Sequence, residues 1–151
     1  METEGNPVLV REVKIEKTYA GRLPCGGDLL EEIRKLCKEK NIRFGAFEAL
    51  GAVQSAKIAF YDQKKRAYRE ISLPEPMEIA SLIANISEKD GEIFIHAHIT
   101  LAKENGSAFG GHLIPGTVIL ACEFVARQFD GPVPTRHLDE ETGLSLWKSL
   151  S

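Results

Sequence analysis

The sequence has few cysteines, no long apolar run and no excess of positive charge, and each of these absences excludes a class of protein. Cys25, Cys37 and Cys122 form no CxxC pair. The first two are separated along a predicted helix by more than a disulfide can span, so we expect buried, reduced thiols. No apolar run approaches the roughly eighteen residues of a membrane span. With 19 basic against 22 acidic residues, the chain has no general attraction for nucleic acid.

The length and the first residues indicate one soluble domain. A chain of 151 residues has the length of a single domain. We place its core at about residues 8–129, and residues 130–151 form the C-terminal tail. The start, METEGNPVLVREV, lacks the charged and apolar regions of a signal peptide. We therefore expect a cytoplasmic protein with no membrane contact.

The spacing of apolar residues predicts one helix and many strands. From Asp28 to Lys40 the apolar residues lie on one helical face, with Asp28 or Gly27 near the N-cap and Asn41 at the C-cap. Strands are predicted at VLVREVKIE, YAGRL, RFGAFEAL, AVQSAKIAFYD, RAYREISL, MEIASLIANIS, EIFIHAHITLA, SAFGGHLI and TVILACEFVARQF. The short breaks between the strands that follow the helix, including one at Gly51, favour antiparallel pairing. We predict an α+β fold, with a largely antiparallel sheet wrapped over one main helix.

Three of the four histidines lie within residues 95–116, in IHAHITLAKENGSAFGGHLIPG. Side chains alternate along a strand, so His96 and His98 share the face opposite the apolar one. The apolar face comprises Ile93, Ile95, Ala97, Ile99 and Leu101. Two of the three histidines are therefore predicted to project away from the core.

The hairpin loop decides whether the third histidine joins them. A two-residue turn at Asn105 and Gly106 would place His112 opposite Ile99, on the core face. A three-residue loop over 104–106, with a left-handed Gly106, places His112 directly opposite His98. That register also puts the apolar residues on one face, namely Ala97, Leu101, Phe109 and Leu113. Burial therefore favours the three-residue loop.

Three imidazoles that converge in this way can hold a metal ion. Cross-strand Cβ atoms lie about 5 Å apart, within reach for ligands that meet zinc at about 2.0–2.1 Å. We interpret His96, His98 and His112 as ligands of zinc, or of another divalent ion, with an open position for water. Such an ion lowers the pKa of its bound water to about 7 and polarises a carbonyl, which supports hydrolytic or lyase chemistry. The alternatives are a solvated polar face and a histidine cluster at a subunit interface.

Two further residues are candidates for a site. Glu48, within the apolar AFEALG, could be a general base or could orient a histidine. It could equally pair with an arginine or face another subunit. His137 could supply a fourth ligand or lie on the surface. No serine or cysteine triad and no phosphate-binding glycine pattern is present in the sequence, so no organic cofactor is predicted and the catalytic residues stay undefined.

Three stretches follow one another along the chain: GRLPCGGDLLEEIRKLCKEKNIRFGAFEALGAVQSAKIAFYD, MEIASLIANIS and GSAFGGHLIPGTVILACEFV. Through these stretches, in this order, the sequence resembles the plants-and-prokaryotes-conserved (PPC) domain from about Val8 to Phe129. It implies a curved antiparallel sheet with a packed helix, assembled as a homotrimer. In plant members the domain accompanies DNA-binding AT-hook segments, and it mediates trimerisation and contacts with transcription regulators.

Two departures from the plant members shape the functional hypotheses. GRLP at 21–24 lacks the RGRP core of an AT hook, so we expect no direct nucleic-acid binding. The GGHL sequence is similar to that of stand-alone prokaryotic members, where plant members usually have GGL. The first hypothesis is a trimeric zinc-binding protein with an unknown small-molecule substrate. The second is a non-catalytic assembly or regulatory module, associated with DNA only through partners, whose metal is structural or incidental.

Overall fold

The secondary structure consists of one helix and nine strands over residues 8–150, the part of the chain that this computed structural model describes. In chain order the elements are β1 (Ile15–Leu23), α1 (Leu29–Lys40), β2 (Gly45–Asp62), β3 (Ala67–Leu73), β4 (Met77–Lys89), β5 (Glu92–Ala102), β6 (Ala108–Leu113), β7 (Val118–Phe129), β8 (Arg136–Leu138) and β9 (Ser145–Trp147). This composition confirms a mostly antiparallel β-sheet accompanied by one short helix.

The helix begins and ends where its capping residues predict. Asp28 accepts a hydrogen bond from the Glu31 N–H at 3.1 Å, and Asn41 adopts a left-handed conformation with φ 52°. Both caps satisfy backbone groups that a helix end leaves without partners. The buried residues of α1 are Leu29, Leu30, Ile33 and Cys37. They join the core and bring the helix against β5 and β1.

The main sheet has the strand order β1-β7-β2-β4-β5-β6, and its neighbouring strands pair antiparallel. The long β2 pairs with β4 along its first half, and further on Ile58 and Ala59 pair with Leu113 and His112 of β6. Strands β2, β4, β5 and β6 therefore form a closed ring of pairings. Because β6 pairs with both β5 and β2, the sheet curls and brings β6 against the later part of β2.

Two predicted strand boundaries were wrong. Residues 8–14 lie outside the strands, and β1 is one continuous strand from Ile15. Gly51, predicted as a break, lies inside the 18-residue β2, where the register with β4 shifts. A Cβ atom added at Gly51 would lie 2.0 Å from the carbonyl oxygen of Ala121. The glycine marks a close approach of β7 at a bulge, not the end of a strand.

The hairpin between β5 and β6 has the predicted three-residue loop. The Lys103 N–H donates to the Ser107 carbonyl at 2.8 Å, and Gly106 has φ 82°. His98 pairs with His112 in the resulting register. Phe109 was predicted to be buried, but it is 42% exposed. Because β6 pairs with β2 only at its far end, the strand end that carries Phe109 stays uncovered.

The C-terminal tail adds a small hairpin of β8 and β9 beside the main sheet. Ser87 on β4 accepts hydrogen bonds from Arg136 Nε at 3.2 Å and from Trp147 Nε1 at 3.0 Å. These bonds attach the tail to the sheet. Within residues 8–150, no helix is long and apolar enough to cross a membrane.

The three cysteines are free thiols, as predicted, but they differ in burial. Cys25 is exposed, so its predicted burial was wrong, whereas Cys37 and Cys122 are buried. Burial raises the pKa of Cys37 to about 12. The thiol of Cys37 is therefore protonated and serves as a small apolar core residue.

Candidate metal centre

His96, His98 and His112 converge on one face of the β5–β6 hairpin. His96 and His98 alternate along β5 with the buried Ile95, Ala97 and Ile99, so both project away from the core. Their Nε2 atoms are 3.2 Å apart, and one candidate ligand atom from each of the three rings lies within 4.8 Å of the others. Among the described residues, no other group of His, Cys, Asp or Glu side chains has such a geometry.

These distances fit a divalent ion. Tetrahedral ligands at about 2.0–2.1 Å from zinc are about 3.4 Å from each other, close to the His96–His98 separation. The third ring offers a nitrogen within 4.8 Å of the other two, somewhat farther than the separation in a tetrahedral site. In addition, His112 Nδ1 is buried without a hydrogen-bond partner in the described chain. Buried polar atoms are normally satisfied, so this orphaned nitrogen is consistent with a ligand that completes the site.

The local electrostatics keep two of the rings neutral. Burial, together with the positive charges of Arg136 and of the other two histidines, lowers the pKa of His96 to about 4. Burial is also the main cause that lowers the pKa of His112. A neutral imidazole has a free lone pair, which is the form that binds a metal. The environment therefore favours the ligand state of both residues.

The cluster opens into a cavity of about 620 Å³, which we call the histidine cavity. It is lined by the three histidines together with Tyr68, Phe94 and Arg136, among others. Tyr68 stacks on His112 with 4.8 Å between ring centroids, and Tyr61 packs on Tyr68. Tyr61 also donates to the Thr142 carbonyl at 2.6 Å, so the C-terminal tail completes one wall.

Tyr68 and Arg136 line the cavity, although neither was predicted from the sequence. Tyr61 and Tyr68 pair across the β2–β3 hairpin. A prediction of the register of that hairpin could have placed the two residues together. The sequence offers no such signal for Arg136, because its partner Asn85 on β4 is 51 residues away along the chain. Only the folded tail brings its guanidinium beside the histidines.

The other two candidates lie elsewhere. Glu48 is half-exposed and forms an ion pair with Arg127 at 2.8 Å. It shares a sheet row with Ile83 and His98, but β4 separates it from the histidine, and it does not line the histidine cavity. His137 is exposed and contacts Thr135 Oγ1 at 3.0 Å, outside the three-histidine cluster.

The chain is similar to proteins of known structure. A metal-containing protein from Archaeoglobus fulgidus is 41% identical, with 93% of this chain and 99% of that chain covered and a TM-score of 0.88. A plant- and prokaryote-conserved (PPC) protein from Pyrococcus horikoshii is 33% identical, with 95% and 99% covered and a TM-score of 0.88. A suggested DNA-binding protein from Bacteroides thetaiotaomicron is 28% identical, with 91% and 96% covered and a TM-score of 0.81.

The curated relatives that match are much longer proteins. A bifunctional protein GlmU from Synechococcus sp. is 33% identical over 104 residues, or 68% of this chain, which corresponds to 15% of the length of that relative. Residues 10–130 match the family described as the Plants and Prokaryotes Conserved (PCC) domain. This match covers most of the described fold, including β5, β6 and the three histidines, and agrees with the resemblance in the sequence. The chain belongs to the Plants and Prokaryotes Conserved (PCC) domain family.

Proposed function

We propose that this protein binds a divalent metal ion, zinc in the first instance, through His96, His98 and His112. The convergence of three ring nitrogens within 4.8 Å carries the proposal. The similarity to the metal-containing Archaeoglobus protein supports it. Imidazole ligands suit zinc and other late first-row metals, and three histidines without a fourth protein ligand are typical of sites with an open position.

The histidine cavity gives such a site a route for a small molecule. A bound divalent ion would act as a Lewis acid toward a carbonyl or phosphoryl group and would activate water, which suits hydrolytic or lyase reactions. The protein supplies the neutral imidazoles, the stacked Tyr68 and the wall of the cavity. Glu48 lies outside this cavity, so we do not propose it as the general base.

The test is elemental analysis of untagged protein purified without chelators. We expect about one zinc ion per chain, lost in His96→Ala, His98→Ala and His112→Ala. His137→Ala is the matched control, because His137 is exposed and lies outside the cluster. Protein that holds no metal and takes up none in a zinc titration would contradict the proposal.

We also propose that the protein is cytoplasmic and assembles as a homotrimer. Leu50 and Ile83 are 60% and 68% exposed and line one groove on the face of the sheet opposite the core. Exposed apolar patches of this kind are typical of subunit interfaces. Sedimentation of the wild type as a trimer, and of Ile83→Glu as a smaller species, would support the assembly. A monomeric wild type would favour a different partner for the patch.

The alternative function is a non-catalytic regulatory module with a structural or incidental metal. The regulatory module and the metal-dependent catalyst differ in the role of the metal, which is structural in one and catalytic in the other. Under a structural role, His98→Ala weakens the trimer in addition to losing the stability that a bound metal adds. Under a catalytic role, the same variant loses metal but keeps the trimer. We expect no direct binding to duplex DNA at physiological salt, since the net charge is −3.

A further inference from the structure

The histidine cavity has an unbalanced positive charge. Two of its lining residues, Lys89 and Arg136, carry permanent cations, and no aspartate or glutamate lines it in the described chain. The protein as a whole has a net charge of −3, so the charge of the cavity is opposite in sign to that of the whole chain. A cleft lined by charge of one sign concentrates ligands of the opposite sign.

Arg136 is the main source of this excess. It is only 7% exposed, and its guanidinium donates to three neutral oxygens: Ser87 Oγ at 3.2 Å, Asn85 Oδ1 at 2.7 Å and the Ser145 carbonyl at 3.1 Å. The ion pairs found within residues 8–150 do not include Arg136. Burying a charge without a counter-charge is costly, and buried charges are normally paired. An anion bound in the cavity would supply the counter-charge that Arg136 lacks among the described ion pairs.

Two aromatic rings restrict the orientation of the Arg136 guanidinium. Phe94 and Trp147 contact it with their ring centroids 5.2 and 5.3 Å from Cζ. A guanidinium has five N–H groups, of which three are used by protein acceptors here. A planar, fixed fork of this kind matches the two oxygens of a carboxylate.

The second cation, Lys89, packs against the same aromatic ring as Arg136. Lys89 Nζ is 5.6 Å from the centroid of the Phe94 ring that Arg136 also contacts. Glu92 lies opposite Lys89 in the β4–β5 hairpin, but the two residues do not form an ion pair in the described structure. Lys89 is therefore available to add a point charge beside the Arg136 fork.

We propose that the histidine cavity binds a small organic acid whose carboxylate pairs with Arg136, with Lys89 in support, beside the three imidazoles. This inference deepens the proposed metal site, because it names the class of molecule that would reach it. The cavity of about 620 Å³ has the size of a small-molecule site. Phe60, Tyr68 and Leu144 offer apolar surface for the carbon skeleton of the acid.

The experiment measures binding of acetate, succinate and benzoate by calorimetry, to zinc-loaded and to metal-free protein. The neutral controls are acetamide, succinamide and benzamide. We expect at least one acid to bind, and its amide to bind far more weakly, because the amide lacks the charge. Arg136→Met should weaken binding roughly tenfold to a hundredfold, the effect of losing a charge-assisted hydrogen-bonded pair. Arg136→Lys should retain part of the affinity.

Lys89→Met guards against a folding defect in the arginine variants, because the Lys89 side chain forms no hydrogen bond or ion pair among those found in the described chain and its ammonium group contacts the Phe94 ring. It should weaken binding by a smaller factor while the thermal midpoint stays unchanged. The inference is overturned if no acid binds better than its amide, or if Arg136→Met binds acids as the wild type does. Preference for inorganic phosphate over every carboxylate would also overturn it.

Elemental analysis of the same preparations separates this inference from the proposed function. Protein that holds zinc but binds no carboxylate keeps the metal site and refutes the anion site. Protein that takes up no zinc but binds carboxylates through Arg136 refutes the metal site and supports the anion site.

Discussion

His98 on β5 lies directly opposite His112 on β6, in a register set by the hydrogen bond from the Lys103 N–H to the Ser107 carbonyl. One residue fewer in the loop would turn His112 toward the core, because neighbouring side chains on a strand alternate between faces. The convergence of the three imidazoles therefore depends on a short loop as much as on the histidines themselves.

Zinc should stabilise the protein through this cluster. Because a metal that binds only the folded state adds RT ln(1 + [L]/Kd), free zinc at a hundredfold excess over Kd should add about 2.7 kcal/mol to the free energy of unfolding. The measurement is urea denaturation with buffered zinc and with a chelator. His98→Ala should lose the increment, and His137→Ala should keep it. An equal increment in both variants would place the metal elsewhere.

Gly51→Ala should lower stability sharply. The added Cβ would lie 2.0 Å from the Ala121 carbonyl oxygen, so β2 and β7 would have to separate. We expect a loss of roughly 3 kcal/mol or more, measured by urea denaturation. Gly91→Ala is the control. Gly91 has a positive φ, of 78°, but no atom lies within 4 Å of its added Cβ. Its cost should be only about 1–2 kcal/mol, and similar losses in both variants would argue against the close approach.

Asp28→Ala should destabilise the start of the helix and its connection to the sheet together. One carboxylate oxygen accepts from the Glu31 N–H at 3.1 Å and the other from the Gly116 N–H at 2.6 Å. Loss of both bonds should cost about 1–2 kcal/mol in thermal or urea denaturation. Asp28→Asn keeps one acceptor oxygen and should lose less. If alanine and asparagine were equally destabilising, the cap would contribute little.

Glu48→Gln should leave zinc content unchanged and cost under about 1 kcal/mol. The ion pair with Arg127 is exposed to solvent, where such pairs contribute little. A double-mutant cycle with Arg127→Met should give a coupling of about 0.2–1 kcal/mol. Loss of zinc in Glu48→Gln would instead connect this carboxylate to the metal centre.

Features that depend on near neighbours follow from the amino-acid sequence alone. Alternation along β5 placed His96 and His98 on one face, and the glycine at 106 together with the apolar pattern selected the loop that brings His112 opposite His98. The caps of α1 at Asp28 and Asn41 are equally local. Each follows from hydrogen bonds or burial within a few residues, or within one hairpin.

The surroundings of the histidines, by contrast, depend on how the whole chain folds. The pairing of Ala59 with His112 closes the ring of strands and brings Tyr68 onto the imidazole. Arg136 joins Asn85 across 51 positions, and the exposure of Phe109 follows from how far β6 pairs with β2. These contacts depend on the curvature of the whole sheet and on the docking of the tail. A periodic pattern specifies which face a side chain is on, but not which distant segment packs against that face.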